Sequence, residues 1–219
     1  MNNLFDQSRS FDYENGYFAT SSTARISKFA THLELFQKSA HLRGEIVECG
    51  VFKGNSLFRW IKFRDLFENA MSRKIIAFDM FGEFPETDYE PDKRKRNEFI
   101  KETRGGVGIS INEIEQILKS QQLYQNIQLV KGNLLETLHM YLQKNDELKI
   151  SLLHIDVDIY EATKVSLELL FPHVVKGGVV ILDDYGAFPG ANKAIDAYFE
   201  GKYEIQKLPY SHAISFVVK

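Results

Sequence analysis

Two short clusters of acidic residues, each closing an apolar run, constrain this chain more than any other feature. Ser151-Leu-Leu-His-Ile155 leads into Asp156-Val-Asp158, and Gly178-Val-Val-Ile-Leu182 leads into Asp183-Asp184. Short runs rich in Val, Ile and Leu read as strands buried in a parallel sheet. Between them Tyr160–Leu170 carries Thr163, Leu167 and Leu170 on one face, the pattern of a crossover helix. The chain is therefore expected to bring Asp156 and Asp183 to the carboxyl ends of neighbouring strands, where open α/β sheets bind ligands. Carboxylates converging there repel one another unless protons or a cation intervene. Hard divalent ions such as Mg²⁺ take oxygen ligands of this kind.

The same alternation runs through the rest of the chain. Glu45–Cys49, Lys74–Phe78 and Ile127–Val130 read as further strands, and Tyr203–Lys207 with Ala213–Val218 as a closing antiparallel pair, seven strands in all. Helices are expected over Thr23–Ala40, with Ile26, Phe29, Ala30, Leu33 and Phe36 at helical spacing, and from Asn55 or Ser56 to Phe67. Others are expected at Ile111–Leu118, Leu134–Leu142 and Ala191–Phe199. Strands alternating with helices predict a doubly wound, mostly parallel α/β sheet with a C-terminal antiparallel hairpin. An N-terminal segment, 1–43, is expected to pack on or cap a core domain at 44–219. It carries Phe11, Tyr13, Tyr17 and Phe18. A polar insertion at about 83–108 contains Lys93-Arg-Lys-Arg96.

Composition narrows the partners. A chain of 219 residues suits one α/β domain, and 44% hydrophobic residues supply its core. A net charge of −3 gives no reason to expect a nucleic-acid partner. Cys49 is the only cysteine, so no intrachain disulfide and no cysteine-based metal site is expected. The first residues lack the shape of a signal peptide, and no run approaches the ~20 apolar residues of a membrane span. A soluble, cytoplasmic protein without a membrane partner is the expectation.

Glu48-Cys-Gly-Val-Phe-Lys-Gly54 joins the first strand to the next helix, where Asn55 or Ser56 is placed as a cap. A strand, a glycine turn and a helix N-terminus suit a ligand pressed against backbone. With only two glycines and Phe52 between them, the motif alone is equally a plain tight turn. Asp79 adds weight, because an acid ending the second strand is placed to accept hydrogen bonds from ribose hydroxyls. Together they point to an adenosine-bearing cofactor.

Five segments in order resemble the macrocin O-methyltransferase family: VECGVFKGNS, FDMFGEFPET, LVKGNLLETL, LLHIDVDIYEATKVSLELL and KGGVVILDDYGAFPGANKAID. The resemblance runs from Gly44 to the C-terminus. It implies a seven-stranded class I methyltransferase (Rossmann-like) sheet, dependence on S-adenosylmethionine, metal assistance, and action on sugar hydroxyls of macrolides and related compounds. Carried over by residue, it sets Glu48, Gly50, Gly54 and Ser56 on the cofactor turn, Asp79 on the ribose, and Gly132 and Asn133 beside the adenine. Many relatives have an aspartate where Asn133 stands; an amide still meets the adenine edge. Asp156, Asp183 and Asp184 fall on the metal positions, with Asp156 also next to the cofactor. Similar spacing occurs in O-methyltransferases of the catechol and caffeoyl-CoA type. For Asp158 and Asp184, helix capping is the competing explanation.

The resulting expectation is an S-adenosylmethionine-dependent, Mg²⁺-assisted (or Mn²⁺-assisted) O-methyltransferase. Its acceptor is expected to be a sugar or nucleotide sugar, free or attached to a natural product. Asp156 or Asp158 is expected to take the hydroxyl proton, and the sequence does not choose between them. A catechol-like phenol acceptor and a non-catalytic cofactor-binding protein are the rivals. His154 reads as a core histidine and His212 as an ordinary loop histidine. Lys93–Arg96 reads as a solvated charge run, or, through the resemblance, as part of an acceptor pocket meeting a sugar diphosphate. A homo-oligomer is left open.

Overall fold

Alternation along each strand sends one set of apolar side chains to each face of the sheet, and helices cover both. The computed structural model describes residues 5–219. Six strands form one sheet: β1 (Glu45–Cys49), β2 (Ile75–Asp79), β3 (Ile127–Lys131), β4 (Ile150–Ile155), β5 (Val174–Leu182) and β6 (Ser215–Val218). Their order is β3-β2-β1-β4-β5-β6, with β1 to β5 parallel and β6 antiparallel to β5. Val47, Cys49, Ile76, Phe78, Leu153, Ile155, Val180 and Leu182 face a core closed by α6 (Leu134–Leu142), α7 (Tyr160–Leu170) and α8 (Pro189–Phe199). Ile46, Ile75, Ala77, Leu152, Val179 and Ile181 face the other, closed by α2 (Thr23–Ser39), α3 (Asn55–Phe67) and α5 (Ile111–Ser120). Burial on both faces explains the near-continuous apolar runs.

The sheet corrects the expected strand count. Tyr203–Lys207 is not a seventh strand; it joins β6 by one antiparallel bridge, Gln206 to Phe216. The closing hairpin is there, with an outer arm one residue wide. Glu204, Lys207 and Pro209 surround the bridge. Charges and proline are what natural proteins use to keep an edge from pairing further.

Two helices depart from the sequence expectation. The polar insertion contains α4 (Glu90–Glu102), which starts with Pro91 in its first turn. Helix α2 is rotated from its expected face: Ser27, Thr31, His32, Leu35, Phe36 and Ser39 are buried, whereas Ile26 and Phe29 are 37% and 41% exposed. Polar Lys28 and His32 thereby turn toward the acids at the end of the sheet. Helix α1 (Ser10–Thr20) buries none of its residues. Among the described residues no helix is long and apolar enough to cross a membrane.

Candidate active site

The strand order places a switch point between β1 and β4, where the chain leaves the sheet centre in opposite directions. Ligands of doubly wound sheets settle outside such a point. Here β1 ends in Gly50, whose φ of +91° belongs to the left-handed region. A Cβ at Gly50 would stand 1.7 Å from the carbonyl oxygen of Asp156, so the two strand ends touch through bare backbone. A cavity of about 270 Å³ opens there, lined in part by Gly50, Asp79, Gly132, Asn133, Asp156 and Asp158.

Asp79 holds the glycine turn as well as facing the cavity. Its Oδ2 accepts from the backbone N–H of Val51 (2.7 Å) and Phe52 (3.1 Å), and its Oδ1 from Phe81 (2.6 Å). A carboxylate offers about four acceptor positions, so one remains. Asn133 caps α6, its Oδ1 accepting from the Leu135 N–H at 3.0 Å. Glu48, Gly54 and Ser56 do not line the cavity. The reason for Glu48 is strand alternation: it points to the α3 face, where its Oε1 accepts from Trp60 Nε1 (3.2 Å) and lies 3.0 Å from His154 Nδ1.

The four acids fall into two groups. Asp156, Asp158 and Asp184 present oxygens within 4.8 Å of one another. Asp184 Oδ2 also accepts from the backbone N–H of Val157 (3.0 Å) and Asp158 (2.8 Å), so it braces the loop after β4 and caps no helix. Asp158 sits in that loop at φ +63°. Burial, then the negative charge of Asp156, pushes Asp158 up to about 7. Burial and the charges of Asp158 and Asp156 raise Asp184 well above the carboxylate range, and burial with the charge of Asp183 raises Asp156.

Asp183, expected as a metal ligand with Asp156 and Asp184, faces α2, where it stands with His32 and His154. Lys28 Nζ donates to its Oδ2 at 2.7 Å and stands 3.4 Å from Asp156 Oδ2. The Nε2 atoms of His32 and His154 each lie 3.8 Å from Asp183 Oδ1, and all three atoms are buried without a hydrogen-bond partner. Burial works against the charge of Asp183, but Lys28 and the two imidazoles hold it well below the carboxylate range. Burial pushes His32 down to about 3. Burial works the same way on His154, but Asp183 and Glu48 outweigh it and hold that ring up at about 9. His154 is thus a core histidine and also a neighbour of the site.

Sequence reasoning missed Lys28 and His32. The available signal was a lysine and a histidine four positions apart on a helix with apolar residues all round. Of the two readings of Lys93–Arg96, the solvated charge run matches Lys93 and Arg94. Lys93 pairs with Glu90 (2.6 Å) and Arg94 with Glu98 (3.1 Å) along the exposed side of α4. Arg96 donates to the carbonyls of Pro85 and Phe84 and to Glu86, bracing a segment that lines the cavity. Asp92, fully buried, fastens α4: its two oxygens accept from Gly190 N (2.7 Å) and Tyr160 N (2.9 Å), capping α8 and α7 together.

Comparison with known proteins places the chain in a family and matches its fold. The profile of the macrocin-O-methyltransferase (TylF) family matches residues 9–208. Two curated relatives are each 27% identical, over 164 and 165 residues. They are 8-demethyl-8-(2,3-dimethoxy-alpha-L-rhamnosyl)-tetracenomycin-C 4'-O-methyltransferase of Streptomyces olivaceus and demethyldecarbamoylnovobiocin O-methyltransferase of Streptomyces niveus. The matches cover 74% of this chain and 60% of each relative's length. Among solved structures, the calicheamicin methyltransferase CalS11 superposes with a TM-score of 0.73 at 22% identity, covering 99% of this chain and 87% of its own. The O-methyltransferase NovP gives 0.71 at 20% identity, covering 89% and 80%. At these identities the two structures speak to the fold, an α/β methyltransferase sheet.

Proposed function

The chain belongs to the macrocin-O-methyltransferase family, and from that premise we propose that it transfers a methyl group from S-adenosylmethionine to a sugar hydroxyl, assisted by Mg²⁺ or Mn²⁺. The observation that carries this reading is the meeting of a glycine cradle and an all-oxygen acid cluster at one strand switch point. The curated relatives, whose names describe O-methylation in tetracenomycin and novobiocin chemistry, support a glycosylated natural product or its nucleotide sugar as the acceptor.

The residues present fit both groups. Asp156, Asp158 and Asp184 form an oxygen-only set, which suits Mg²⁺ or Mn²⁺ better than zinc. The cavity at Gly50 offers bare backbone and one free acceptor position on Asp79, which fits a ribose. When bound, S-adenosylmethionine supplies the methyl group and the divalent ion lowers the pKa of an acceptor hydroxyl. The chain's own residues do the rest. Asp79 orients the donor, Asp156 and Asp184 hold the cation, and Asp158, lining the same cavity, takes the hydroxyl proton. Lys28 keeps Asp183 and Asp156 from repelling each other. Aligning donor and acceptor oxygen in one crevice accounts for much of the rate.

Labelled S-adenosylmethionine offered with pools of sugar acceptors, with and without EDTA, tests the activity. Label transfer that EDTA stops and Mg²⁺ or Mn²⁺ restores is the expected result. Asp79→Ala removes a charge-assisted acceptor and is expected to weaken donor binding by ~1.5–3 kcal/mol, about tenfold to a hundredfold. Calorimetry showing an unchanged dissociation constant would remove Asp79 from the donor site.

A further inference from the structure

One carboxylate grips the polar insertion to the end of the sheet. Asp92, in the first turn of α4, is fully buried and has no basic partner among the described residues. Its Oδ2 accepts from the Tyr160 N–H at 2.9 Å, where α7 starts, and its Oδ1 from the Gly190 N–H at 2.7 Å, where α8 starts. A Cβ at Gly190 would stand 1.9 Å from Asp92 Oδ2, so a glycine is what leaves room for the carboxylate. Burying a carboxylate without a counter-ion is costly. The positive ends of two helices offset part of that cost.

Those two amides close the two loops that carry the acids. The loop after β4 bears Asp156 and Asp158 and runs into α7; the loop after β5 bears Asp183 and Asp184 and runs into α8. Near the strands the loops are joined by Asp184, whose Oδ2 accepts from the N–H groups of Val157 and Asp158. At the helix starts they are joined by Asp92. Each loop is braced in between. The Ile159 N–H donates to the Val157 carbonyl at 2.6 Å, and those of Ala187 and Phe188 to the Asp184 carbonyl at 2.9 and 3.2 Å. A shift of either helix start is therefore passed to an acid, and a small hard cation tolerates little change in the spacing of its oxygens.

We propose that Asp92 is a positioning residue for the reaction: by holding the amides of Tyr160 and Gly190 side by side, it fixes Asp158 against Asp184 and thereby sets the cation affinity of the acid cluster. The proposal rests on the metal-assisted reading above and adds a residue to it. It also gives the insertion a part in the chemistry besides walling the cavity. Glu161 fastens the same insertion, accepting from Thr87 Oγ1 (2.9 Å) and from the N–H groups of Asp88 (3.1 Å) and Tyr89 (3.0 Å). Its carboxylate holds no amide of either acid loop, so the two fastenings can be told apart.

Mn²⁺ binding, followed by electron paramagnetic resonance, tests it. Asp92→Asn keeps the shape but leaves one acceptor oxygen for two amides, and Gly190→Ala drives the carboxylate off from the other side. Both should weaken Mn²⁺ binding about tenfold to a hundredfold, the usual effect of losing a group that orients metal ligands. S-adenosylhomocysteine affinity should stay the same, and Glu161→Gln should bind Mn²⁺ as wild type does. Wild-type Mn²⁺ affinity in Asp92→Asn and Gly190→Ala overturns the proposal. An equal loss in Glu161→Gln overturns it too, because the effect would then belong to the insertion as a whole. If one of the two grip variants fails to fold, the other decides. Hydrogen exchange of the metal-free protein separates the proposal from the reading beneath it. Asp92→Asn should speed exchange over 156–160 and 184–190 together, and unaltered exchange in both stretches overturns the proposal. A wild type that binds no Mn²⁺ strikes the metal assistance instead, and the exchange result still decides whether Asp92 holds the acids in place.

Discussion

Asp183 looks toward α2, where Lys28 donates to it at 2.7 Å and two imidazoles stand 3.8 Å away. Its neighbour Asp184 looks the other way, into the loop after β4, and shares a space under 4.8 Å with Asp156 and Asp158. One half of the crevice carries its own counter-charge, and the other gathers three acids of which only Asp156 reaches Lys28, at 3.4 Å. The first half is held low in pKa and the second is raised. A pair of adjacent acids thus splits into an anchor held below the carboxylate range by its neighbours and a group raised above it, which favours a proton or a cation. Local sequence is the same for both; the difference is what packs against each.

Substitution of either half separates them most sharply. Asp184→Asn or Asp156→Asn is expected to abolish Mn²⁺ binding, followed by electron paramagnetic resonance, and to lower methyl transfer by several kcal/mol, on the order of a thousandfold. Asp183→Asn should keep measurable Mn²⁺ binding. Equal loss of Mn²⁺ in Asp183→Asn and Asp184→Asn would erase the distinction between the halves.

A smaller effect is expected from Lys28→Met, which strands the charge of Asp183. Breaking a fully buried pair costs about 3–5 kcal/mol. With a quarter of the Lys28 side chain exposed (25%), about 2 kcal/mol of stability is expected here. Adding Asp183→Asn to Lys28→Met should recover most of that loss in a denaturant-based double-mutant cycle. Additive losses would show that Lys28 and Asp183 are not coupled.

The gentlest test is pH, followed as melting temperature in EDTA. Asp158, pushed up to about 7, and Asp184 bind protons more tightly folded than unfolded. Their contribution to stability is therefore fully present below the ordinary carboxylate pKa of ~4, and that of Asp158 is lost as the pH rises through about 7. Asp183 has the opposite sign: its contribution is present above ~4 and lost only as the pH falls. The metal-free protein should lose melting temperature between those limits, Asp158→Asn should flatten that loss, and Mn²⁺ should restore more at pH 8 than at pH 5. A metal-free melting curve that rises from pH 5 to pH 8 would contradict the raised half.

Much of the scaffold was legible without coordinates. The helix at Tyr160–Leu170 and the one at Leu134–Leu142 stand where periodicity put them, and the strands before the acids end at Asp79, Ile155 and Leu182. Helix α4 was not legible, because Glu90–Glu102 is charged nearly all round and carries no apolar stripe to read. What orders it is remote: Asp92 closing the N-termini of α7 and α8, and Glu161 accepting from Thr87 and from the backbone of Asp88 and Tyr89. The seventh strand failed for the opposite reason. Tyr203–Lys207 has strand-like residues, but an edge position lets charges and a nearby proline limit it to one bridge.

The sequence by itself determined that apolar runs would lie side by side in a parallel sheet and deliver four acids to one edge. That follows from strand period and burial, which are local properties of the chain. Only the tertiary structure decided which acid meets which partner. The rotation of α2 that turns Lys28 and His32 inward exposes Ile26 and Phe29, against the helix's own apolar pattern. Hydrophobic periodicity cannot foresee it, because the gain comes from pairing buried charge across elements more than a hundred residues apart.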